Sequence, residues 1–432
     1  MISNTSPLQK NLMLIVLTIY YIETFVGRQI MAVMIEPIKF EFTASDMQMG
    51  LLTGLVFAIV FSLTGIFAGR LADKFDRTKL LAVSVLFWGI FTALCGYVNG
   101  FIMLLLMRMM IAVAEAPVAS SSIALLADSY PLEQRSFAIS CFTAGSTIAA
   151  IIALTIGAKW VEAYGWRTTF YIISAPTSII TLLFIFVIKD PRHIKAFSSQ
   201  QNTNSKTESK TSFIAATKML WQLKEYRLLV YASSFATVGA NAFGMWNATF
   251  LVRSYGFTLT QAGLMAGLFG GVAAAVGILL SGYLADRISR KKGILWLPLM
   301  GHSLGWISMI TYLTWPNELG SGFLGNNVPF AMLFCLSSSF FSVWWFSPSI
   351  TLLTETVPNN QRALALALQT VFITLLGVGF GPILVGFLSD IYSHSFGTES
   401  LRYALFSISF STLIAMYFLL RLKTLHDKKS NT

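Results

Sequence analysis

Four charged side chains stand inside long apolar runs of this 432-residue chain: Glu23, Arg28, Arg108 and Glu115. A carboxylate at the centre of a bilayer costs roughly 2.5–3.5 kcal/mol on insertion scales, so it faces a protein interior with a partner or a task. A carboxyl group there can bind and release a proton, because its neutral form crosses a dry environment at far lower cost. A guanidinium can hold an anionic group through two parallel hydrogen bonds. Glu23 and Glu115 are therefore the candidate proton-coupling groups, and Arg28 and Arg108 the candidate substrate-binding groups. Arg28, toward the end of the same run as Glu23, is expected to neutralise it through water or to bind an anion. Arg108 and Glu115, seven positions apart, share one helix face about two turns apart. The structural alternatives are snorkelling of Arg28 to headgroups, pairing of Glu23 with a neighbouring helix, and a buried pair that fixes helix packing.

The elements that position these groups are membrane helices. The chain is 55% hydrophobic and 11% charged, with mean hydropathy +0.68, against about 25% charged residues in soluble domains. Twelve apolar runs are long enough to span, at 11–34, 47–72, 79–98, 101–126, 135–158, 167–188, 226–253, 261–285, 293–314, 329–355, 361–388 and 401–420. Period-2 alternation, the mark of a membrane barrel, is absent. The net charge of +11 is a matter of topology and does not point to nucleic acid: with the N-terminus inside, 23 of the 30 Lys and Arg fall in cytoplasmic segments and five, Lys39, Lys159, Arg167, Arg253 and Arg402, on the other side. That bias places both termini in the cytoplasm of a cell inner membrane. Cys95, Cys141 and Cys335 sit in separate runs and give neither a disulfide framework nor metal-ligand spacing. Residues 1–22 lack a small-x-small cleavage site, so the first helix is expected to be retained.

The chain is also doubled. Gly69-Arg70-Leu71-Ala72-Asp73, followed by Arg77, returns as Gly282-Tyr283-Leu284-Ala285-Asp286, followed by Arg290, at an offset of 213. Leu125 to Pro131 with Asp128 returns as Leu352 to Pro358 with Glu355, at 227. The fold class is thus all-α integral membrane, with twelve helices in two pseudo-symmetric six-helix bundles: 1–188, a polar linker 189–225, 226–421 and a tail 422–432. In such duplicated proteins the substrate path lies between the halves near the midplane.

Gly-x-Leu-Ala-Asp-x-x-x-Arg after helix 2, with its weaker copy after helix 8, resembles the signature loop of the major facilitator superfamily. Arg28-Gln29-Ile30, Glu36-Pro37-Ile38-Lys39, Gly50-Leu51-Leu52-Thr53-Gly54, Arg108 with Glu115-Ala116, Gly165-Trp166-Arg167, Gly377 to Pro382 with Ser389-Asp390, and Leu401-Arg402-Tyr403-Ala404 resemble bacterial members of its spinster-like family. In that family helix 1 carries Asn-Tyr-x-Asp-Arg, and the Asp is the expected proton-binding group. Here Thr24-Phe25-Val26-Gly27-Arg28 stands in its place. The Arg survives and the Asp does not, so Glu23, one turn before Gly27, is expected to take over the role. Thr374 likewise stands where relatives have an Asn.

In the two loops, Asp73 and Asp286 are expected to cap helix N-termini of the opposite half, while Arg77 pairs with Asp128 and Arg290 with Glu355. These six are the candidate gating residues; the alternative is a solvated topogenic turn. In the second half, Asn241 and Trp246 on helix 7 are candidate substrate contacts, against plain packing. Pro117, Pro176, Pro348 and Pro382 are expected to kink helices, and His302 is expected to be a packing residue. Walker loops, dinucleotide fingerprints, metal-ligand pairs and nucleophile–base sets are missing, so no enzyme and no cofactor is expected. The expectation is a monomeric, proton-coupled secondary transporter whose partners are a small-molecule substrate, protons and the lipid bilayer. The spinster-like resemblance implies a lysophospholipid-like amphipathic solute. The rival substrate is a small organic acid, and the rival class is a non-transporting membrane sensor.

Overall fold

The computed structural model describes residues 7–186, 188, 213–316, 328–358 and 361–430; it does not describe the side chains of some residues inside these ranges, Asp73, Asp286 and Arg290 among them. Among the described residues nine helical stretches are long and apolar enough to cross a membrane. Two of them, Phe137–Phe186 (50 residues) and Leu364–Asp427 (64 residues), hold two crossings each. A straight helix of that length would run about 75 Å or more, at least twice a hydrocarbon core. Gly165 (φ 78°) reverses the first and Gly397 (φ 53°) the second; a residue with Cβ adopts such angles only under strain. Trp296–Thr314, whose apolar residues are diluted by Pro298, His302 and Ser303, completes twelve.

Helix 1 comprises Pro7–Gln29 and Met31–Phe42. Helix 2 runs Asp46–Gly50, Leu51–Leu55 and Val56–Lys74. Helix 3 is Arg77–Tyr97, and helix 4 is Phe101–Glu115 with Val118–Ser129. Helix 5 starts at Leu132 and helix 6 ends at Phe186. A linker helix, Phe213–Gln222, precedes helix 7, Lys224–Tyr255. Helix 8 runs Leu259–Met265, Ala266–Val272 and Ala273–Lys292, and helix 9 is Trp296–Thr314. Helix 10 is Ala331–Ser342 with Phe346–Thr356. Helix 11 runs Arg362–Phe372, Ile373–Phe380 and Gly381–Phe396, and helix 12 is Ser400–Ser409 with Ser411–Ser430.

Chemistry explains the breaks. Helix 4 gives way at Ala116-Pro117 and helix 6 at Ala175-Pro176, where proline withdraws a donor. Helix 10 unwinds at Val343–Trp345, because the Pro348 ring collides with the carbonyl four residues back. Ser45 with Gln48 and Thr258 with Gln261 form capping boxes that start helices 2 and 8. Among the described residues four wide π-turn stretches occur, at Leu51–Leu55, Ala153–Gly157, Ala266–Val272 and Ile373–Phe380. They fall on helices 2, 5, 8 and 11, one in each set of three.

The chain packs as two units. The first takes residues up to Phe42 and from Val56 through helix 6; the second takes Thr43–Leu55 and the chain from the linker helix onward. The first unit's core is built from Leu17, Tyr20, Val85, Phe142 and Phe184, the second's from Tyr226, Leu229, Leu353 and Leu419. Within a bilayer such cores cohere by close packing, which small residues permit. A Cβ on Gly27 would lie 2.7 Å from the Trp88 ring, and one on Gly277 would lie 2.2 Å from the Phe340 carbonyl oxygen. The linker helix belongs to the second unit: Leu220 is buried, and Trp221 stacks on Phe372 at 5.1 Å and 19°.

Candidate functional site

The first unit brings Arg28 and Glu115 together. Arg28 Nη2 donates to Glu115 Oε1 at 2.8 Å, and Glu115 is 3% exposed. The guanidinium also lies over aromatic faces, 4.5 Å from the Phe25 centroid, 4.6 Å from Phe57 and 5.1 Å from Phe61. Phe57 and Phe61, one turn apart on helix 2, stack with centroids 5.7 Å apart. Such a floor attracts a desolvated cation. The sequence reading missed this floor; the signal was an i,i+4 aromatic pair on the run that carries the signature loop.

Arg108 is 1% exposed. Its Nη1 donates to the Gly27 carbonyl at 3.2 Å, and its guanidinium is 5.5 Å from the Phe57 centroid. Arg108 Nε and Nη2 find no protein acceptor. Arg108 and Glu115 share a helix face as expected, yet it is Arg28 of helix 1 that closes on Glu115.

Arg28 closes on Glu115, and no direct ion pair joins it to Glu23 among the described residues. Five positions put Glu23 and Arg28 about 140° apart around one helix, so they face different neighbours. Glu23 turns to helix 6, where Thr177 Oγ1 donates to its Oε1 at 2.9 Å. Its Oε2 has no hydrogen-bond partner, and no ion pair to it appears among the described residues. Tyr20 Oη, Trp88 Nε1 and Thr92 Oγ1 are likewise buried without partners, the condition that internal water relieves.

Of the gating candidates, Arg77 Nη1 meets Asp128 Oδ2 at 2.6 Å. The side chains of Asp73, Asp286 and Arg290 lie outside the described residues, and with them the pairing of Arg290 with Glu355, which is exposed. In the second unit Trp246 is fully buried and its indole N–H donates to the Pro382 carbonyl at 3.0 Å. That is a packing contact in this structure. Asn241 is half-buried, its amide donating to the Thr237 carbonyl at 3.1 Å. His302 is buried with Nε2 unpartnered, beside a cavity also lined by Ser233, Trp345 and Ser349. No group of three or more His, Cys, Asp or Glu side chains that could hold a metal occurs among the described residues.

A family profile described as Major Facilitator Superfamily matches residues 13–274 and 228–432. The chain is similar to an MFS-type efflux pump of Mycolicibacterium smegmatis, 26% identical over 383 residues that cover 88% of this chain and 85% of that protein. It is similar to protein spinster homolog 1 of Xenopus tropicalis, 26% identical over 431 residues that cover 94% of this chain and 79% of that protein. A crystal structure of a bacterial homolog of the human lysosomal transporter Spinster, inward-facing and unoccupied, matches with a TM-score of 0.85 at 22% identity, covering 97% of this chain and 98% of that one. At that identity the likeness shows the fold.

Proposed function

The chain belongs to the Major Facilitator Superfamily, and on that premise we propose that it is a proton-coupled secondary transporter for an anionic or amphipathic organic solute, working by alternating access. The observation that carries the reading is the buried Arg28–Glu115 pair on its aromatic floor. A proton on Glu115 removes the charge that holds Arg28. The guanidinium, still seated on Phe25, Phe57 and Phe61, is then free to take the anionic group of a substrate. Proton and anion bind together, and the site keeps its net charge as it closes. That matters because an uncompensated charge is costly in a dry, occluded state.

Arg108 supports the anionic character. Two guanidiniums share the Phe57 ring, at 4.6 and 5.5 Å, and one of them, Arg28, is paired with a carboxylate. Glu23, with only a hydroxyl donor, is cheaper to bury protonated. In this reading it retains its proton while Glu115 exchanges. Spinster-like resemblance favours a lysophospholipid-like solute, and the paired arginines would also accept a small organic acid.

The test is uptake into proteoliposomes under an imposed pH gradient, offering a labelled lysophospholipid and a panel of small organic acids to wild type and Glu115→Gln. Gradient-driven accumulation in the wild type, lost by about a hundredfold or more in the variant, is expected when a group acting in the coupled step is removed. Whichever solute accumulates identifies the substrate class. Uptake of neither under a gradient, or an unaffected Glu115→Gln, would overturn the reading.

A further inference from the structure

Polar side chains recur along helix 4 at every seventh position: Arg108, Glu115, Ser122 and Ser129. Seven residues are close to two turns, so the four stand on one face, and all are buried. Helix 1 covers that face. Arg108 Nη1 reaches the Gly27 carbonyl at 3.2 Å, and Arg28 reaches Glu115 at 2.8 Å. At the other end Ser129 Oγ donates to Met13 Sδ at 3.8 Å, and Tyr130 Oη to the Lys10 carbonyl at 3.0 Å. These contacts fix the level of everything between them, because both helices rise evenly. Ser122 lies halfway from Glu115 to Ser129, and Tyr20 about halfway from Arg28 to Met13. By the same reckoning Leu17 is level with Leu126. Met13, Leu17, Tyr20, Leu125 and Leu126 pack in one cluster.

The seam changes character along its length. Glu115 Oε2, Tyr20 Oη and the hydroxyls of Ser121 and Ser122 are all buried without a protein partner. Tyr20 is close enough to feel the charges of both Glu115 and Glu23. So many orphans along one seam call for internal water that bridges them. Glu115 is sealed from bulk solvent, so its proton needs a route through buried groups. Past Tyr20 the route closes. Leu17, Leu125 and Leu126 are fully buried and offer neither donor nor acceptor. Polar groups resume beyond them, where Tyr130 Oη donates to Asn11 Oδ1 at 3.3 Å.

We propose that Tyr20, Ser121 and Ser122 line an internal water file that carries the proton between Glu115 and the Asn11–Tyr130 end of the first unit, and that Leu17, Leu125 and Leu126 are its gate. A hydroxyl accepts one hydrogen bond while it donates another. A proton leaving Glu115 Oε2 therefore enters the file as another leaves its far end, and no hydroxyl keeps a net charge. The apolar layer keeps the protein tight. An unbroken file would let protons bypass the solute and discharge the gradient, whereas an apolar constriction passes no hydrated proton until it wets. The proton route thus runs inside one unit, with a gate of its own. Tyr20, Ser121 and Ser122 are positioning residues; none is assigned to substrate.

This inference rests on the proton-coupled reading, but its first test needs no solute. Proteoliposomes holding a pH dye are given an acid jump, with a potassium ionophore to balance charge, and proton entry is timed. Leu17→Asn keeps the shape of the side chain and adds a donor and an acceptor to the layer. It is expected to raise proton entry at least about fivefold, the change in rate that one hydrogen bond supplied in a barrier is worth. Adding Tyr20→Phe should return entry to within about twofold of wild type, since the relay is then gone. A Leu17→Asn chain as tight as wild type would overturn the gate. A leak that Tyr20→Phe leaves untouched would overturn the file, because a loosened fold would leak without it. The second test keeps the layer intact. Tyr20→Phe and Ser121→Ala/Ser122→Ala should each slow gradient-driven uptake of the lysophospholipid or organic acid that wild type accumulates at least about tenfold, the scale of a lost proton-transfer group. Solute exchange at equal pH, which leaves the proton in place, should be spared. Uptake at the wild-type rate, or an equal loss of exchange, would overturn the proposal. A wild type that exchanges solute and ignores the gradient would instead sink the proton-coupled reading, while the leak measurements still decide the file.

Discussion

Glu115 and Glu23 are both almost wholly buried in the first unit, at 3% and 8% exposure, and their neighbours differ in kind. Glu115 has a guanidinium at 2.8 Å, itself held on three aromatic rings. Glu23 has a hydroxyl at 2.9 Å and no cation, while each carboxylate keeps its Oε2 without a hydrogen-bond partner. The difference teaches that burial alone does not mark a coupling acid. A carboxylate matters to coupling when its charge state decides what another group is free to bind. Glu115 has such a dependant in Arg28, and Glu23 has none among the described residues.

Removing the partner is the strongest way to test that contrast. Glu115→Leu leaves Arg28 half-buried and uncompensated, which should cost up to about 3–5 kcal/mol, read as loss of thermal stability in detergent. The double variant Arg28→Leu/Glu115→Leu should recover most of it. If the double variant is as unstable as the single, the pair is not the dominant interaction at either residue. A smaller effect is expected at Glu23. Glu23→Gln keeps shape and the Thr177 donor, so gradient-driven uptake should stay within about threefold of wild type, the scale of a group outside the coupled step. Uptake abolished as in Glu115→Gln would break the contrast and make both carboxylates coupling acids. The least effect belongs to Thr177→Val, which removes the one donor to Glu23 and should lower stability by about 0.5–1.5 kcal/mol. A loss several times larger would mean that Glu23 is charged and leans on that hydroxyl.

Much of the architecture was legible because membrane helices announce themselves residue by residue. The twelve runs, the proline breaks at Pro117 and Pro176 and the internal offsets were all in the letters. The charged site was legible in its membership and not in its pairing. Glu23, Arg28, Arg108 and Glu115 stood out because charge in hydrocarbon is expensive. Which of them meet depends on helix rotation, and Arg28 could be assigned to Glu115 only once helices 1 and 4 were placed. Trp246 was ambiguous for a related reason: an aromatic with a polar tip suits a cavity wall or a core equally, and only the placed helices bring its indole N–H to the Pro382 carbonyl at 3.0 Å.

Gly165 carries a consequence for how the protein is made. Helices 5 and 6 form one stretch of 50 residues turned at a single glycine, with no hydrated linker between them. Every backbone N–H and C=O entering hydrocarbon must already be paired, and neither helix has a free end on the far side from which to wait for the other. The pair is therefore expected to enter the bilayer as one hairpin, with Lys159 and Arg167 on either side of its turn. Arg167 then finds Glu41 at 2.7 Å, a residue of helix 1. The earliest segment to be synthesised thus supplies the counter-charge for a later one, so Arg167 meets a partner that is already in place.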